Sequence, residues 1–353
     1  MTAFVRLLAC LAGLALTTAA SAADYPDRNV RVLVPFAQGG PTDVIARVFA
    51  QKLSENLGHS FYVENLAGAG GNIGTAQAAR APADGYTILV VSTGFMVNPS
   101  LYAKVPYDPL KDFTPLTLAA VSPNVIFVNP SLPVKTLKEL IDLVKANPGK
   151  YAYAQPAMGS TPHLSAELLK QTFGLDLVMV PFTSAGLAVN AVLADQPPIG
   201  FTALPPTIGL INQGKLRGLA VEAVKRAPTL PDVPTIAEAG VPGQEADTLT
   251  GFVLPAGTPP AIVEKLHSEM VKIGAMPEIR ERLEKIGFNP VINTPAEFGA
   301  RIKAEMEKWA KVVHAANLRI ERAGGPAQLP LRPRASSKKR SCQVAGRFLS
   351  APT

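Results

Sequence analysis

A strand, a glycine-rich loop and an amphipathic helix follow one another near the start of this chain, and the same succession restarts at Val125. The first unit runs from the apolar stretch Val30 to Val34 through the loop Pro35 to Gly40 into a helix carrying Ile45, Val48, Phe49 and Leu53 on one face. Pro41 suits the first helical turn and Gly58 its end. Strands are expected at Phe61 to Glu64 and, after the Asp84-Gly85 turn, at Thr87 to Val91. The second unit begins with the strand Val125 to Val128 and a helix opened by the capping pair Thr136 and Glu139, with Leu137, Leu140, Ile141 and Val144 as its stripe. Further strands are expected at Tyr151 to Ala154, Leu177 to Val180, Ile199 to Thr202 and Leu216 to Val221. Alternation of this kind builds parallel sheets with right-handed crossovers. A chain of 353 residues exceeds what one hydrophobic core serves, so two α/β lobes are expected.

After the second unit, the proline-rich stretch Pro228 to Pro242 reads as a crossing segment. A strand at Leu249 to Leu254, a helix from Thr258-Pro259 and a last helix from Thr294 follow it. Thr294 and Glu297 make a second capping box, and Phe298, Ile302, Trp309 and Val313 form that helix's apolar stripe, which assigns Trp309 to the core. The lobes are accordingly expected at 23–122 plus 243–321 and at 123–242, with a hinge near Ser122-Pro123 and the segment after Val221.

Both ends of the chain read differently from its body. Residues 1–22 combine Arg6, the apolar run Leu7 to Leu16 and the small-residue site Ala20-Ser21-Ala22, the pattern of an export signal cleaved near Ala22. That places the mature protein in the periplasm. Cys10 lies inside this segment and Cys342 is the other of two cysteines, so the body holds no disulfide or cysteine metal site. The net charge of +7 belongs to the far end. Of 34 basic residues, seven lie from Arg322 onward, where no acidic residue occurs, leaving 27 against 27 acidic ones. Residues 323–353, rich in Gly, Pro, Ser and Arg, read as a disordered basic tail, and without aromatic platforms they are not a nucleic-acid arm.

Ligands of open parallel sheets bind beyond the carboxyl ends of the strands. Four loops there are rich in Gly, Ser, Thr and Pro and free of Lys and Arg: Pro35 to Thr42, Gly68 to Gly74, Gln155 to His163 and Pro181 to Gly186. Their backbone amides, with the positive ends of the helices they lead into, suit a carboxylate held without a salt bridge. Gly68-x-Gly70 is not a dinucleotide fingerprint, because Ile73 stands where the third glycine belongs. No cofactor is expected. His59, His267 and His314 are scattered and give no metal-ligand spacing. A secreted hydrolase using Ser160 and His163 is the alternative from another class. Against it stand the missing G-x-S-x-G elbow and a simpler role for the pair, with Thr161 capping a helix that starts at Pro162.

The loops, in order, resemble a known family. Val34-Pro35-Phe36 with Gly39-Gly40 and Asp43, Gly68 through Gly74, Asp84-Gly85-Tyr86, Asn98-Pro99, Pro106 through Pro109, Gly159-Ser160 with Pro162-His163, Leu230 through Thr235 and Pro255 through Pro259 are similar to segments of the tripartite tricarboxylate transporter substrate-binding proteins, the Bug proteins. The resemblance spans Asp24 to Asn317. It implies two doubly wound α/β lobes joined by a hinge, in the manner of a type II periplasmic binding protein. It further implies a monomer that captures a small organic acid, performs no chemistry on it and serves two membrane transporter subunits. Its ligand loops carry over onto Phe36 and Ala37, onto Ser92 and Thr93, and onto Gly159 and Ser160, with Gly39, Gly40, Asn72 and His163 as further candidate ligand residues in the same loops. Thr183, Ser184 and Thr202 are the side chains expected to discriminate among acids. Thr202 stands where amino-acid-binding relatives often carry an acidic residue, so an ammonium partner is missing there and plain organic acids are favoured.

Overall fold

The computed structural model describes residues 25–320. The expected export signal at 1–22 and the expected basic tail at 323–353, with Cys10 and Cys342, lie outside the described residues. The chain opens with β1 (Val30–Val34), α1 (Pro41–Leu57), β2 (Phe61–Asn65), α2 (Asn72–Ala79), β3 (Thr87–Ser92) and α3 (Thr93–Leu101). A long strand, β4 (Phe113–Val128), then leads to α4 (Leu137–Ala146), β5 (Ala152–Gln155), α5 (Thr161–Phe173), β6 (Val178–Pro181), α6 (Ala185–Leu193) and β7 (Ile199–Ala203). The short α7 (Ile208–Asn212), β8 (Arg217–Val221), β9 (Asp247–Pro255), α8 (Pro260–Ala275), α9 (Pro277–Lys285), β10 (Asn289–Pro290) and α10 (Pro295–Ala315) complete it.

The strands order as β2-β1-β3-β9-β4-β7-β5-β6, with β8 and β10 paired to β4. Parallel pairing is confined to β1 with β2 and β3, and to β5 with β6 and β7. The wholly parallel expectation is therefore corrected: β9 runs antiparallel to β3 and β4, and β4 antiparallel to β7 and β8. The reason is connectivity. β4 leaves the first lobe and β9 returns to it, so each must oppose the strands that the crossover helices build.

The sixteen residues of β4 serve both lobes. Residues Phe113 through Pro123 pair with β9, and Asn124 through Val128 pair with β7. Apolar side chains cover each face of each half. Phe49, Val90 and Leu266 lie in the core on one side of the first half, Phe95, Val253 and Phe298 in that on the other. Leu140, Tyr153 and Phe201 flank the second half on one side, Phe127, Val189 and Val192 on the other. The proline-rich stretch after Ala227 packs within the second lobe: Leu230 and Val233 join one of its cores, and Ile236 and Val241 join the other. Trp309, 1% exposed, is core as expected, and with Val97, Leu101 and Leu164 it fills the space where α3, α5 and α10 meet. The capping box at Thr294 forms as read, both reciprocal hydrogen bonds being present.

Candidate functional site: a cleft without charged walls

A cleft of about 780 Å³ opens between the two halves of the sheet. β1, β3, β5 and β6 all end at it, and the loops that follow turn into α1, α3, α5 and α6. Gly40, Ser92, Ser160 and Ser184 are the four N-caps. Each helix thus turns its N-terminus and the positive end of its dipole to one space, although Pro41 and Pro162 lack an N–H and the amides of His163 and Leu187 are taken by the Ser160 and Ser184 caps. No Asp, Glu, Lys, Arg or His is among the residues lining it. What polarity the lining offers comes from backbone and hydroxyl dipoles rather than formal charges.

Two of the lining side chains sharpen this. Thr161 and Thr202 are 1% and 0% exposed, and neither hydroxyl has a hydrogen-bond partner among the described residues. An unpaired buried hydroxyl is costly unless something arrives to complete it. Around them, Phe36, Met158, Pro162, Pro181, Phe182 and Leu187 supply apolar wall.

Of the expected ligand residues, Phe36, Ala37, Gly40, Ser92, Thr93, Ser160, Thr183, Ser184 and Thr202 line the cleft. Gly39, Asn72, Gly159 and His163 do not. Gly39 donates its N–H to Asp43 Oδ2 at 2.9 Å. Asn72 is buried behind the cleft, its Oδ1 accepting from Asn98 Nδ2 at 2.8 Å and Tyr107 Oη at 3.1 Å. The amide of Gly159 points inward to His163 Nδ1 at 3.1 Å, and that of Ser160 donates to Ala157 O at 3.1 Å. Those two amides are therefore spent within the loop. By contrast, the amides of Phe36 and Ala37 have no partner among the described residues.

The arrangement also disposes of the hydrolase alternative. Burial lowers the His163 imidazole to about 4, so it is neutral, and its Nδ1 accepts from Gly159. The Ser160 hydroxyl donates to Ala157 O at 2.7 Å and has no bond to the imidazole. A nucleophile needs its base within hydrogen-bond reach. Here Ser160, not Thr161, is the cap of α5, accepting from the His163 amide at 3.4 Å.

Sequence reasoning missed the residues that hold the loops in place. Asp43 Oδ2 accepts from Gly39 N–H and from Arg47 Nε at 2.9 Å, and its Oδ1 from Asn65 Nδ2 at 2.9 Å, while Asn65 Nδ2 also reaches Phe36 O at 3.0 Å. Burial opposes the Asp43 charge, yet the bonds from Arg47, Gly39 and Asn65 hold its carboxyl below the ordinary value. It clamps the first loop and does not line the cleft, so it gives a ligand ammonium no partner there. Gln155 plays the same part in the second lobe, its Oε1 accepting from Ala157 N–H at 2.8 Å. Gly159 must be glycine twice over: its φ is +77°, and a Cβ there would stand 2.5 Å from Leu101 Cδ2. Among the described residues no group of three or more His, Cys, Asp and Glu could hold a metal.

The pattern of the tripartite tricarboxylate transporter family receptors matches residues 45–318, which include all three loops downstream of α1. The chain belongs to that family. It is 36% identical over 323 residues to protein BugT of Bordetella pertussis, covering 90% of this chain and 99% of that one. The structure of Rhodopseudomonas palustris Rpa4515 with adipate is similar at a TM-score of 0.81, with 36% identity, 84% of this chain and 100% of that one covered. MatC of the same organism with bound malate is similar at 0.76, with 32% identity over 82% of this chain and 100% of that one. The receptors of this family are periplasmic binding proteins, and no described helix here is long and apolar enough to cross a membrane.

Proposed function

We propose that this family receptor captures a small dicarboxylate between its lobes and releases it unchanged. The observation that carries the reading is the convergence of four helix N-termini on a cleft with no charged wall. Each lobe brings two of them, which suits a solute with an anionic group at either end. The free amides of Phe36 and Ala37 and the unpartnered hydroxyls of Thr161 and Thr202 complete the carboxylate oxygens, and Ser92, Thr93, Thr183 and Ser184 adjust to the remainder. Relatives that bind adipate and malate support the class. An amino acid is rejected, because Thr202 offers no charge, Asp43 does not line the cleft, and an unpaired buried ammonium costs several kcal/mol. Export through the 1–22 segment and delivery by a monomeric receptor to two membrane subunits complete the proposal.

A thermal-shift and calorimetric panel of adipate, malate, citrate, benzoate and glutamate tests it, with mass spectrometry of the recovered solute. Adipate or malate should give the largest stabilisation and return intact. Glutamate giving the largest shift, or turnover of any member, would overturn it.

A further inference from the structure

Behind the cleft, the segments that join the lobes are locked to one another. Asn124 on β4 donates its N–H to Ala246 O at 3.1 Å, Ala246 before β9 donates to Glu222 O at 2.9 Å, and Glu222 after β8 donates to Asn124 O at 2.8 Å. These three backbone bonds close a ring. The side chains inside it are polar and sealed, Glu222 being 1% and Asn124 0% exposed. Ser165 on α5 donates to Glu222 Oε1. Thr248, which lines the cleft, donates to Asn124 Oδ1 at 3.0 Å. Glu222 Oε2 and Asn124 Nδ2 have no partner among the described residues. A continuous path of contacts therefore runs from the cleft through Thr248, Asn124, Glu222 and Ser165 to α5, whose N-terminus helps build the cleft.

We propose that Glu222 is a proton-sensitive coupling between the solute cleft and the lobe junction: protonated, it lets the ring stay shut, and ionised, it loosens the ring and weakens solute binding. The inference rests on the cleft being the solute site. A carboxylic acid fits this space, since one oxygen accepts from Ser165 and the other meets no cation. A carboxylate sealed there would be poorly compensated and is relieved by admitting water, which opens the ring. The groups around it give little relief. α5 and β4 bring only the neutral Ser165 and Asn124, α10 brings Lys308, and β9 brings Asp247, a like charge. Lys308 Nζ itself donates to Glu245 O at 3.2 Å. Asp247 is raised by its own burial, with Arg301 and Lys308 opposing and Glu305 reinforcing. Burial likewise lifts the Glu222 carboxyl to about 8, against the bond from Ser165 and the nearby amide of Asn124.

Hydrogen–deuterium exchange on the solute-free protein, corrected for the intrinsic rise in rate with pH, reads the ring directly. Peptides carrying the amides of Asn124, Glu222 and Ala246 should exchange about tenfold faster at pH 9 than at pH 7, and Glu222→Gln should abolish that difference. The Ser165→Ala variant removes a bond that favours the charged form, so its midpoint should move to higher pH. Equal protection at both pH values in the wild type, or a Glu222→Gln protein that follows the wild type, would overturn the proposal, and the wild-type course alone decides if that variant does not fold. For adipate, the wild-type Kd should rise about tenfold over the same interval and stay level in Glu222→Gln, as expected when one proton is linked to binding. A wild-type Kd that does not change with pH would count equally against it. An absence of adipate binding at pH 7 would fail the dicarboxylate reading and leave the exchange result to judge the coupling separately.

Discussion

Thr161 and Thr202 are threonines where the fold alone would accept valine, since neither hydroxyl bonds to anything in the described protein. Replacing both by Val removes two unpaired buried hydroxyls while keeping shape, so the melting temperature should hold or rise. Affinity should fall, by about 1.5–3 kcal/mol for each hydrogen bond to a charged oxygen that is lost. Calorimetry beside a melting curve separates the two effects, and a variant that binds adipate as tightly as wild type would exclude these hydroxyls from the site. His163 makes a second prediction at this scale. Its folded pKa, about 4, lies below the ordinary 6.5, so the unfolded chain takes up this proton first as pH falls. The associated stability is complete above about pH 6.5 and is lost between there and pH 4, amounting to roughly 3 kcal/mol. His163→Gln should flatten that part of the stability curve in urea titrations across pH. A slope unchanged by the substitution would assign the acid sensitivity elsewhere.

The elements most legible in the sequence were those whose signals are local. The stripe Ile45, Val48, Phe49 and Leu53, the Pro41 start and the Gly58 stop gave α1 within a residue, and Thr294 with Glu297 gave the start of α10. β4 was read only in its last four residues, because Pro115 and Pro123 interrupt a strand pattern and the partners that tolerate them lie far away on β9. The same distinction governs the site. Glycine and hydroxyl-rich loops at strand ends marked the cleft, but the direction of an amide is a property of the folded loop. Nothing in Gly159-Ser160-Thr161-Pro162-His163 tells a reader that the first amide turns inward to the imidazole. That geometry is testable in one element: Gly159→Ala places a Cβ against Leu101 at a positive φ, and should cost roughly 1–3 kcal/mol in stability. Its binding should suffer beyond that, because the loop leading into α5 must shift. A substitution neutral in both melting temperature and adipate affinity would show that this loop is not held as described.

At the scale of the whole molecule, the lobes are two stacks of helix and sheet joined where β4 and β9 run side by side. A hinge there suits closure over a solute, the proposal carried from Ser122-Pro123 and the segment after Val221. Small-angle scattering should show a smaller radius of gyration at saturating adipate than without it. An unchanged radius would mean that the solute enters a cleft already shaped for it.

The absence of charged wall has a consequence for how such a receptor is recognised. Empty, the cleft mouth faces outward with the positive ends of four helices. On the dicarboxylate reading, a filled cleft holds two negative charges that no lining side chain cancels. If that reading holds, loading changes the charge at the cleft as well as its shape, a difference that a partner with a basic rim would sense.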